Sequence, residues 1–131
     1  MTDIIRKTAV FIRANTDTAE SRQAAAALAD MIDGRILADE ALAILSDCLG
    51  CELQIKNSVP NGATAFVVFS AREMHRALES GDAAFAGDIA DVLQALPDKE
   101  HLNGKKAVSA FNKTYIRKFN KKHISRLPEI V

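Results

Sequence analysis

Few places in the sequence hold residue types at spacings that chemistry uses. Cys48-Leu-Gly-Cys51 is a C-x-x-C pair. In redox proteins such a pair opens a helix, whose positive end lowers the thiol pKa. Here Cys48 falls near the end of a helical pattern, where the dipole opposes thiolate formation. A structural zinc site needs four ligands, and His75, His101 and His123 lack ligand spacing. Both thiols read as buried and structural, and neither metal nor cofactor is expected. Asp33, Gly34, Ile36 and Glu40 match positions of a calcium loop, but its first and third ligands would be Ala29 and Met31, which cannot ligate. A helix–glycine–helix turn explains the same residues. His75 follows Glu73, and His101 follows Asp98 and Glu100. Side chains two apart on a helix do not face each other. No nucleophile motif, phosphate loop or H-E-x-x-H accompanies these histidines. No catalytic residue is assigned, and the chain reads as non-enzymatic.

The charge pattern says more. The stretch Asn103–Leu127 carries Lys105, Lys106, Lys113, Arg117, Lys118, Lys121, Lys122 and Arg126 with no acid. Residues 1–98 hold 15 acids against 8 Lys/Arg, whereas residues 99–131 hold 2 against 9. A net charge of zero therefore hides an acidic body and a basic C-terminal part, an asymmetry that points to a charged partner. On a helical wheel of 105–122, Val108, Phe111, Tyr115 and Phe119 form one stripe, opposite Lys106, Lys113, Arg117 and Lys121. Aromatics at that spacing read as core, not as stacking partners for bases. Lys105 and Lys106 stand in the first turn, where the helix dipole disfavours cations and free amides attract anions. The bland explanation of these lysines is that they precede the helix or pair with the acidic half.

Ile89–Leu93, a break, then Ala107–Lys113 has the loose outline of a helix-turn-helix. Its break of about ten residues exceeds the usual turn of three or four, so no family is claimed. As a reader, the second helix would present Lys105, Lys106, Ser109, Asn112 and Lys113 to a groove, with Arg117, Lys121 and Lys122 on phosphates. The leading expectation is a small nucleic-acid-binding or regulatory protein. The alternative is a protein–protein module, an assembly subunit or inhibitor. It would use the same basic helix on an acidic protein surface or on another copy of itself, or the acids Asp30, Asp33, Asp39 and Glu40 on a basic partner.

The elements that must carry these residues read as helices. Ile4, Ile5, Thr8, Phe11 and Ile12 share a stripe in a first helix capped by Thr2 or Asp3. Asp17 with Glu20 has capping-box spacing for a second helix, which closes at Gly34. A third runs from about Ala38 to Gly50. Glu52–Lys56 alternates, Asn57–Gly62 is turn chemistry and Ala65–Phe69 is a short apolar run, a pattern that predicts a small β-hairpin over 52–69. Its rival is a helix from about Asn61 to Glu79, in which Val67, Ala71, Met74 and Leu78 share a face. With the hairpin, a helix capped by Ser70 would follow. Asp82 caps the next helix, which bears Phe85, Ile89, Val92, Leu93 and Leu96 and stops at Pro97. Asp98–Leu102 reads as a loop and Asn103-Gly104 as a turn.

The chain of 131 residues therefore reads as one mainly α domain, a compact bundle of five or six helices with that possible hairpin, or all-α without it. Alanine makes up much of the 48% apolar content, which implies closely spaced helices plugged by a few large residues. No apolar run approaches a membrane span and no signal peptide opens the chain, so a cytoplasmic protein is expected.

Overall fold

The apolar stripes fold as helices. The computed structural model describes residues 1–56, 58–59, 62–98, 104–124 and 127–131. Helix α1 spans Thr2–Ala14, α2 Ala19–Ile32, α3 Ala38–Leu49, α4 Thr64–Glu79 and α5 Ala83–Gln94. Then α6 (Lys105–Phe111), a π-helical turn (Asn112–Ile116) and α7 (Arg117–Lys122) form one continuous rod, because both junctions keep right-handed helical angles. No strand occurs among the described residues.

The predicted hairpin at 52–69 does not form, and the rival helix does. Residues 64–79 contain no glycine or proline, so the run Ala65–Phe69 continues without a break into the Val67/Ala71/Met74/Leu78 face, all of it buried. Ser70, a cap in the hairpin reading, is a buried residue inside this helix. The alternating stretch 52–56 buries only Leu53 and leaves Ile55 exposed, so it has no sheet to join. Asn57, Pro60 and Asn61 lie outside the described residues.

Helix ends follow local hydrogen bonding. The α2 cap is Thr18, not Asp17: its hydroxyl accepts from the Ser21 amide at 3.1 Å. Asp82 caps α5 by accepting from the Phe85 amide at 3.1 Å. Neither Thr2 nor Asp3 caps α1, which begins after Met1 without a side-chain cap. Gly50 closes α3 in the left-handed conformation (φ 71°), which costs glycine no Cβ clash.

Helices α1, α5, α4 and α2 pack in a closed ring, each against the next and α2 against α1, while α3 lies outside against α2. The run of alanines explains the position of α2. Ala24, Ala25, Ala27 and Ala29 are all buried, and only small side chains let three neighbours approach one helix. The C-terminal rod lies on this ring. Phe111 meets Phe66 of α4 edge-on at 5.8 Å, and Phe119 meets Phe85 of α5 at 5.5 Å.

The chain then folds back along the rod. Asn112 donates to the Ile130 carbonyl and accepts from the Ile130 amide, both at 2.9 Å. Two turns later Asn120 grips Leu127 the same way, at 3.0 and 2.7 Å. Leu127 and Ile130 are buried, and the Val131 amide donates to the Gly62 carbonyl at 3.3 Å. Gly62 has φ 83°, and a Cβ there would collide with the Val131 carbonyl.

The Asn112 clamp is buried, so truncating it leaves backbone groups of Ile130 without partners. We expect Asn112→Ala to lower unfolding free energy by roughly 2 kcal/mol in urea titrations. Gly62→Ala should loosen the same segment, read as faster amide exchange at Ile130 and Val131.

Candidate functional site

The π turn decides which side of the rod faces out. An α-helix would carry the inward stripe from Phe111 to Tyr115, but a π-helical turn bonds i to i+5 and advances the inward position by one residue. Phe111, Asn112, Ile116 and Phe119 are buried, Val108 is half-buried and Tyr115 is 40% exposed. The expected stripe Val108/Phe111/Tyr115/Phe119 is therefore corrected at its third member, where Ile116 replaces Tyr115.

Of the residues assigned to binding, Lys105, Lys106, Ser109, Lys113, Arg117, Lys121 and Lys122 are all exposed on this rod. Asn112 is not among them. It is 6% exposed and both ends of its amide are bonded to Ile130, so the clamp turns it away from a groove-reading role. Lys118, left out of that set, is exposed beside Tyr115 and Thr114 in a groove against Val92 of α5. The sequence shows Lys118 as basic, but only the π turn brings it next to an outward aromatic. Lys105 and Lys106 lie inside the first turn of α6, not before it. Asn103, His101 and Arg126 lie outside the described residues.

Ion pairing separates two kinds of cation. In the body, Arg6 pairs with Asp98, Lys7 with Asp3, Arg13 with Asp91, Arg72 with Asp33 and Arg76 with Glu73. On the rod, Arg117 pairs with Glu129 of the returning segment, and Lys122 with Asp88 at 2.9 Å. Lys105, Lys106, Lys113, Lys118 and Lys121 have no carboxylate partner among the described residues. The acidic half does not neutralise them.

Asp88 ties the rod to α5. Its carboxylate accepts from Lys122 and, at 2.8 Å, from His123, whose ring packs edge-on against Phe85. Burial pushes the Asp88 carboxyl up, but hydrogen bonds and charge from Lys122 and His123 outweigh it and hold the pKa below its ordinary value.

Cys48 is half-buried and Cys51 exposed, so the reading of two buried thiols holds only partly for the first and fails for the second. Burial, then the charges of Asp47 and Glu20, raise the Cys48 pKa, the reverse of an activated thiol. Asp33 ends α2 and bridges to Arg72 at 3.1 Å, as a helix–glycine–helix turn allows. His75 pairs with Glu79 one turn on, not with Glu73, which takes Arg76. No group of three or more His, Cys, Asp or Glu that could hold a metal occurs among the described residues, nor any helix long and apolar enough to cross a membrane.

Two outcomes follow. Asp88 has a lowered folded pKa, so its stabilisation is present above the ordinary carboxylate value of 3.8 and is lost as pH falls through the folded value. The stability gap between wild type and Asp88→Asn in urea should therefore be full at pH 6 and close below about pH 4. With limiting iodoacetamide, peptide mass spectrometry should find Cys51 alkylated before Cys48. Comparison of the chain with protein-family models, with curated proteins and with solved structures finds no match.

Proposed function

We propose that this chain is a small non-enzymatic nucleic-acid-binding or regulatory protein that holds phosphates on the outward face of residues 105–122. The observation that carries this reading is the set of lysines without a carboxylate partner among the described residues. Lys105, Lys106, Lys113, Lys118 and Lys121 extend from one continuous rod, while most body cations are matched to carboxylates. An unpaired lysine reaches a phosphate without first giving up an ion pair. Each such contact releases condensed counterions, which favours binding at low salt. Because Phe111, Ile116 and Phe119 anchor the rod to the body, the lysines are presented from a rigid element.

A protein partner is the second reading, supported by Leu37. This side chain is 71% exposed at the start of α3, next to the exposed carboxylates Asp39 and Glu40. An apolar anchor rimmed by acids suits a basic protein surface.

Fluorescence anisotropy with labelled duplex and single-stranded oligonucleotides, repeated across salt, tests the first reading. Binding should weaken linearly in log–log form as salt rises. Lys113→Ala with Lys121→Ala should reduce the slope by about 1–2 without changing the fold. Absence of binding to either probe at low salt would falsify it and leave the protein-partner reading, for which light scattering and cross-linking are the measurements.

A further inference from the structure

The outward turn of Tyr115 sharpens which nucleic acid the basic rod takes. Tyr115 is the sole tyrosine of a chain without tryptophan, and it is the one aromatic among the large exposed apolar side chains of the described residues. Its ring packs against Phe111, with centroids 5.2 Å apart and planes inclined by 36°, so it has a fixed neighbour on the rod. Tyr115 also lines a groove between the rod and α5 of about 330 Å³, within the ~300–1,000 Å³ of small-molecule sites. Val92 and Phe119 line its floor, and Lys118 and Lys122 stand at its edge. Asp88 and Asp91 also line it, but each is already matched, Asp88 by Lys122 and His123 and Asp91 by Arg13. Their repulsion of a phosphate is therefore partly cancelled.

We infer that the rod binds single-stranded nucleic acid, stacking one base on Tyr115 with a neighbouring phosphate on Lys118. This rests on the phosphate-binding reading above. A flat ring packed against Phe111 beside a cation is the element that binds unstacked bases without regard to sequence. A duplex keeps its base faces inside its own stack and offers this ring nothing. The unpaired lysines along the same rod supply the remaining phosphate contacts.

The test uses the full chain, a thymidine oligomer and a duplex of equal length. With no tryptophan, intrinsic emission comes from Tyr115 alone, so a base stacked on the ring should quench it. The single strand should quench this emission at saturation and the duplex should not. Tyr115→Leu, which keeps apolar cover over Phe111 but removes the ring face, should weaken single-strand binding about tenfold and leave duplex binding unchanged. Tyr115→Phe should retain single-strand affinity. Unchanged tyrosine emission on saturation with the single strand, or a Tyr115→Leu variant that binds it like wild type, overturns the inference while salt-dependent binding survives. If neither probe binds at low salt, the phosphate-binding reading fails and this inference fails with it.

Discussion

Two side-chain amides hold the C-terminal part of this protein in place. Asn112 and Asn120 each give and receive one hydrogen bond from a single residue of the returning chain, Ile130 and Leu127. An asparagine amide used this way copies a peptide group, so the rod behaves locally like a partner strand. The grip buries Leu127 and Ile130 in the same apolar cluster that begins at Ile4. It also fixes which side of the rod is inside. With Asn112 turned inward to Ile130, Ile116 follows it into the core and Tyr115 is left outside. The outward basic face is thus a consequence of an inward polar contact.

Electrostatics then acts on a surface already shaped by packing. An exposed ion pair contributes little to stability, typically below about 1 kcal/mol, so the body pairs matter less as glue than as neutralisers. They quench most cations of residues 1–98 locally, at spacings of a helix turn or across adjacent helices. Among the described residues the rod lacks such partners along most of its length, and its carboxylate contacts there are Asp88 and Glu129. Both anchor residues sit where the rod needs attachment, beside α5 and beside the returning segment. Charge is therefore matched where it holds structure and left open elsewhere.

Much of this was legible in the residues. The stripes of α1 and α5, the left-handed Gly50, the alanine-rich α2 and the charge division all follow from spacing and composition. The run Ala65–Phe69 was ambiguous because a short apolar stretch satisfies a strand and a buried helix equally. What decided it was tertiary: residues 52–56 offered no partner surface, and α2 and α5 offered two for α4. The π turn left no local signature, since Asn112–Ile116 is compatible with an ordinary helix. Its first residue, Asn112, is hydrogen-bonded to Ile130, 18 residues away in sequence. For the same reason Asn112 looked like an outward polar residue and proved to be an inward clamp. The basic face was readable as charge, but the outward aromatic within it was not.

The alanines of α2 have a consequence of their own. A helix faced on several sides by Ala24, Ala25, Ala27 and Ala29 sets the separation of α1, α3 and α4 by the size of a methyl group. Elsewhere a larger side chain can tilt toward solvent, but here extra volume on one face drives a neighbour outward and disturbs the rest of the ring. Tolerance of larger side chains should thus be lowest along one inconspicuous helix, whose buried alanines serve packing alone. In this molecule the smallest side chains act as the gauge to which the larger ones are fitted.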